Sequence, residues 1–126
     1  MNRAGLTAHI KTVYGVEPDY PFEGDAVSAV FRRTDNRKWF ALAMRLPAGR
    51  LGLPGSSILD VVNLKCDPLM IGSLLAEPGF FPAYHMNKER WITAVLDDRI
   101  PDALFAALIG QSYALTAPKR RRRLEA

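Results

Sequence analysis

The sequence predicts an α+β fold in which an antiparallel sheet carries helices on one face. Three observations lead there. Apolar residues recur at helical spacing near both ends of the chain, two alternating runs joined by a short polar turn read as a hairpin, and a third run is rich in β-branched residues. Runs of strands with helices at the ends favour this class over a βαβ alternation. The 126 residues fit one domain, and a hydrophobic share of 48% is enough for a core that needs neither disulfides nor a structural metal.

Residues 3–14 place Leu6, Ile10, Val13 and Tyr14 on one helical stripe, and Gly15 fits the stop because it has no Cβ to resist a left-handed backbone. A polar, proline-punctuated loop runs through Glu17–Asp25. Residues 26–33 and 38–46 are the hairpin strands, with Thr34-Asp35-Asn36-Arg37 as the turn. In the first, Val27, Ala29 and Phe31 share a face. In the second, alternation puts Phe40, Leu42, Met44 and Leu46 on one face and Trp39, Ala41 and Ala43 on the other.

Residues 47–57, with two prolines and three glycines, read as a long loop, and Ile58–Cys66 as the third strand. Asp67-Pro68 is a helix start: Asp caps the free N–H groups, and proline at the first helical position has no N–H to leave unpaired. That helix ends before Pro78-Gly79. Residues 91–96 form a further strand, and a last helix from Pro101 to about Leu115 carries Leu104, Phe105, Leu108, Ile109 and Tyr113. The domain is expected to span residues 1–118, followed by a basic tail, 119–126, expected to be disordered and in which Leu124-Glu125 fits an expression-vector scar.

Charge is unevenly placed. Lys119 to Arg123 supply five of the 17 cations and Glu125 one of the 13 anions, so residues 1–118 carry 12 of each sign. The net charge of +4 belongs to the tail. One cysteine, Cys66, cannot form an internal bridge, and a reducing compartment is the simplest setting. No apolar run reaches the roughly 20 residues of a membrane span, and no signal-peptide core follows the first residues. A cytoplasmic protein without membrane contact is expected.

No catalytic group, metal site or cofactor loop stands out. His9, Cys66 and His85 are not at zinc-ligand spacing. Cys66 ends an apolar strand, where a buried structural thiol is the simpler role than a nucleophile served by His85. Asp97-Asp98 sits at a turn, and residues 51–57 lack the lysine of a phosphate loop.

Two segments remain as binding candidates. Arg32, Arg33, Arg37 and Lys38 surround the hairpin turn, where they suit contact with phosphates; solvated charge guarding an edge strand accounts for the same residues. Lys88 and the tail residues Arg120 and Arg121 would add nonspecific attraction. The segment Phe80–Trp91 concentrates aromatics around a histidine. Tyr84, His85, Asn87 and Trp91 suit a ligand or partner surface, although for the aromatics anchorage of a loop on the core is the favoured role. The expected function is therefore non-enzymatic binding. DNA held by the hairpin and tail is the leading reading, and a protein or small ligand held by residues 80–91 the alternative.

Several stretches together resemble the MmcQ/YjbR family: Tyr14-Gly15-Val16-Glu17-Pro18 through Pro21, Lys38-Trp39-Phe40-Ala41, Asn63-Leu64-Lys65-Cys66-Asp67-Pro68, Tyr84-His85-Met86-Asn87-Lys88 with Trp91, and Gln111 to Lys119. The resemblance spans nearly the whole chain, and it implies a CyaY-like α-β-α sandwich and a double-wing analogy to DNA-binding proteins. It supplies no catalytic residues. Glu89 and Arg90 depart from the pattern of a basic residue and a histidine, and the loop at 47–57 is long. The iron binding of frataxins does not carry over, because residues 3–14 contain Arg3 and Lys11 and no acid.

Overall fold

The structure is a computed structural model that describes residues 1–119. Helix α1 spans Arg3–Tyr14. Its start is fixed by Asn2, whose side chain accepts a hydrogen bond from the Gly5 N–H at 2.8 Å, and its end by Gly15 at φ 67°. Leu6 and Ile10 are fully buried, but Val13, expected on the same stripe, is 55% exposed. Val13 falls outside the buried side of the helix.

The strands are β1 (Ala29–Arg32), β2 (Trp39–Pro47), β3 (Ile58–Lys65), β4 (Phe80–Pro82) and β5 (Trp91–Val95). They form one antiparallel sheet in the order β1-β2-β3-β5-β4. Strand β4 is an addition to the sequence reading. At three residues, one of them proline, it is too short to show a period, and its pairing with β5 creates it. Strand β1 begins three residues later than expected, which leaves Val27 outside it and 39% exposed. A single turn of 3-10 helix, Ala48–Leu51, interrupts the long loop after β2.

The faces of β2 differ from simple alternation at one point. Phe31 lies opposite Ala41 and Arg32 opposite Trp39, so Phe40 has no partner on β1. This bulge adds a residue and reverses the parity beyond it. Phe40 therefore joins Ala41 and Ala43 beneath the helices, and Trp39 moves to the face of Leu42, Met44 and Leu46. The Phe40 ring packs edge-on against Tyr113 at 5.0 Å and tilted against Tyr14 at 5.8 Å.

Helix α2 (Pro68–Leu75) starts where Asp67 accepts from the Leu69 N–H at 2.9 Å, and α3 (Asp102–Leu115) closes the helical layer. All three helices contribute to one core with Phe31, Val62, Leu64, Ile92 and Ala94. Ser112 of α3, fully buried, sits where β2 and β3 separate: its hydroxyl donates to the Phe40 carbonyl at 2.6 Å and accepts from the Lys65 N–H at 2.9 Å. One side chain thus satisfies two backbone groups that the sheet ladder leaves unpaired. The opposite face carries a smaller cluster, Val30, Leu42, Met44, Leu46, Val61 and Val95, on which no α-helix packs among the described residues and against which Leu51 of the 3-10 turn and Tyr84 lie.

Candidate binding face

The basic hairpin does not project as a free tip. Arg33, expected to contact phosphates, is only 8% exposed. Its guanidinium lies 3.9 Å from the Tyr113 ring centroid, pairs with Asp35 at 2.8 Å and donates to the Tyr113 carbonyl at 2.6 Å. Asn36 donates to the Thr116 carbonyl at 2.8 Å. The turn thereby caps the carbonyl end of α3, which otherwise leaves acceptors unsatisfied. Arg32 is engaged as well, pairing with Asp19 at 3.1 Å and lying 5.5 Å from the Trp39 centroid. Arg37, in a left-handed backbone at φ 64°, and Lys38 are exposed at the turn. Arg120 and Arg121 lie outside the described residues.

The segment 80–91 divides. Phe80 is buried under the helices, an anchor as the structural reading expected. Tyr84 is half-buried against the other face. Its backbone is held on both sides: the Tyr84 N–H donates to Thr93 Oγ1 at 2.9 Å, and its carbonyl accepts from Asn63 Nδ2 at 2.8 Å. His85 follows at φ 57° with its ring 4.0 Å from that of Tyr84. Asn87 accepts from the Glu89 N–H at 2.8 Å through its side chain and from the Trp91 N–H at 2.9 Å through its carbonyl. Its role in the structure is to shape the turn. Lys88 is exposed, and Trp91 is half-buried opposite Lys65.

His85 and Met86 border a cavity of about 310 Å³ on the helix-free face, with Leu42 and Met44 on the β2 side. Its remaining wall comes from the Glu17–Ser28 loop. That loop is tied to the edge of β1 by paired backbone bonds between Asp19 and Val30, at 2.7 and 2.8 Å, and to α1 by Arg3, which donates to the Val27 carbonyl. Phe22 is carried over the sheet and meets Trp39 edge-on at 5.8 Å with the rings perpendicular. Asp25 Oδ1 accepts from the Val27 and Ser28 N–H groups at 2.8 and 2.9 Å. Hydrogen bonds from Ser28, then from Val27, hold the Asp25 carboxyl below its usual value, so it is ionised at neutral pH.

Of this lining, sequence reasoning singles out His85 alone. It misses Phe22, Asp25 and Met86 as site residues, and simple alternation puts Trp39 on the wrong face. The available signal is an aromatic residue in an otherwise polar loop, Tyr20-Pro21-Phe22.

Cys66 and His85 are not brought together. Cys66 belongs to the helix-side core, and its thiol is pushed up by burial and then by the Asp67 charge, whereas His85 is exposed on the other face. Among the described residues no three His, Cys, Asp or Glu side chains are clustered to hold a metal, and no helix is long and apolar enough to cross a membrane.

The YjbR family model matches residues 11–115. YyaQ, an uncharacterized protein of Bacillus subtilis (strain 168), is 40% identical over 116 residues, covering 92% of this chain and 98% of its own. A crystal structure of a Pseudomonas syringae protein superposes with a TM-score of 0.90 at 43% identity, covering 93% of this chain and 100% of that one. Protein DR2400 of Deinococcus radiodurans, with a DUF419 domain, shares the fold at a TM-score of 0.72 and 24% identity, over 98% of this chain and 84% of that one. With the family model and YyaQ each matching most of its length, the chain belongs to the YjbR family.

Proposed function

We propose that this protein is a non-enzymatic binding module that holds a small ligand on the helix-free face of its sheet. The observation that carries this reading is convergence. Residues from three separated segments, Phe22, Trp39 and His85 with Met86, meet around one largely apolar cavity of about 310 Å³. Its size falls at the lower end of the roughly 300–1,000 Å³ of small-molecule sites, and its few polar groups suit orientation of a ligand. The separation of Cys66 from His85 supports a role without chemistry.

The test is an amide NMR titration with a library of small soluble fragments. Shifts confined to residues 22–28, 39–44 and 84–87 are expected. A library that leaves these amides unmoved, or moves only those of 33–38, overturns the reading.

One observation favours nucleic acid as a second reading. The Asn36 bond to Thr116 ties the turn bearing Arg37 and Lys38 to a residue three positions before Lys119, where the basic run of the sequence begins. Duplex DNA would then meet Arg37, Lys38 and the tail rather than the hairpin strands. A salt titration comparing the full chain with one ending at Pro118 tests it. Binding retained without the tail but lost in R37A/K38A supports the hairpin surface, and binding lost with the tail alone refers it to nonspecific attraction.

A further inference from the structure

Resting on the ligand-binding reading above, we infer that the cavity selects a small organic cation, an alkylammonium group presented to Phe22, Trp39 and the Asp25 carboxylate. Phe22 and Trp39 stand perpendicular at 5.8 Å, so a group lying in the angle between them meets the negative face of at least one ring. Among the described residues Asp25 is the one acidic side chain of the wall, which no lysine or arginine lines; the Arg3 guanidinium acts on its charge from outside the wall. Both backbone bonds to Asp25 land on Oδ1, which leaves the second carboxylate oxygen outside them. Met44 and Met86 supply polarizable sulfur on the remaining sides, a surface that adapts to methyl groups.

The molecule already shows this attraction once. Arg32 places its guanidinium 5.5 Å from the Trp39 centroid while paired with Asp19, so this indole accepts a cation partner within the fold itself. An anionic ligand would meet the Asp25 carboxylate with no cation in the wall itself. A neutral ligand would fill the volume and gain nothing from the carboxylate. Among these three charge types, only a cation uses every feature of the wall.

The experiment compares three probes of nearly one shape: choline, its neutral carbon isostere dimethylbutanol, and the anion dimethylbutanoate. Binding is read from the Trp39 indole resonance in an NMR titration of the full chain, with Trp91 as the internal reference. Choline is expected to bind about tenfold more tightly than dimethylbutanol, and dimethylbutanoate more weakly than either. Asp25→Asn keeps the Oδ1 acceptor of the loop and removes the charge. It should erase most of the preference for choline and leave the neutral probe unchanged. Equal affinities, or a preference for the anion, overturn the cation assignment while the cavity stands as a ligand site. If none of the three moves the Trp39 resonance, the cation assignment falls, and the fragment titration then decides whether the cavity binds anything. The wild-type comparison of the three probes is decisive even if the variant fails to fold.

Discussion

Asn63 and Thr93 face each other across β3 and β5, and together they hold the backbone of Tyr84. Both side chains are fully buried, and the Thr93 hydroxyl donates to Asn63 Oδ1, which completes the network. The loop bearing His85 and Met86 is thus tied to the middle of the sheet. Asn63→Ala leaves the Tyr84 carbonyl without its donor and the Thr93 hydroxyl without its acceptor at a buried site, at a cost of about 1–3 kcal/mol. Chemical denaturation gives the loss of stability. Amide exchange at Tyr84 and His85 should accelerate more than exchange in α3, and uniform acceleration would show that the network supports the whole fold rather than this loop.

Arg33 is expected to behave as a structural residue. Arg33→Ala removes an ion pair, a stacked cation and a carbonyl cap from a nearly buried position, and a loss of about 2–4 kcal/mol is expected. Arg37→Ala and Lys38→Ala, at exposed positions, should each stay within about 0.5 kcal/mol. Thermal unfolding of the three variants checks the contrast.

The same pair has a pH signature. Side-chain hydrogen bonds from Arg33 hold the Asp35 carboxyl below its ordinary value near 3.8. A folded pKa below the unfolded one means that the contribution is fully present above that ordinary value and is lost as pH falls through the depressed one. Acid titration of stability should therefore fall below about pH 4 more steeply in the wild type than in Asp35→Asn. Parallel curves would remove the ion pair from the account.

Ser112 joins a helix to two strands through one hydroxyl. Ser112→Ala changes little volume but strands the Phe40 carbonyl and the Lys65 N–H, and about 1–3 kcal/mol should be lost. A shift in the Phe40 and Tyr113 ring resonances would accompany it, because the bulge rests on that bond. Denaturant midpoints below the wild type with an unchanged m-value are the expected result.

Cys66 should be inert in the native state. Burial disfavours its thiolate, and the neighbouring Asp67 adds to this. Thiol-specific labelling at neutral pH should be slow and become fast on addition of denaturant. Rapid native labelling would reopen a reactive role for this residue.

Local structure was legible in the residues alone. Helix α1 matches its expected range because the Leu6–Ile10 stripe and the Gly15 stop act within a few residues of one another. Asp67-Pro68 started α2 for the same reason, and the alternating runs with their Thr34–Arg37 turn produced the hairpin. These signals are short-range steric and hydrogen-bonding preferences, so they survive without knowledge of the rest of the chain.

What each residue faces depends on the assembled sheet and helices. Strand β4 exists because β5 offers it a ladder, and Phe40 turns inward because the bulge aligns it with Tyr113 and the Ser112 hydroxyl. Arg33 looked like surface charge until the end of α3 was placed beside it. The cavity collects Phe22, Trp39 and His85 from positions far apart in the chain. Such contacts depend on chain closure and sheet order, which no local pattern of residues encodes.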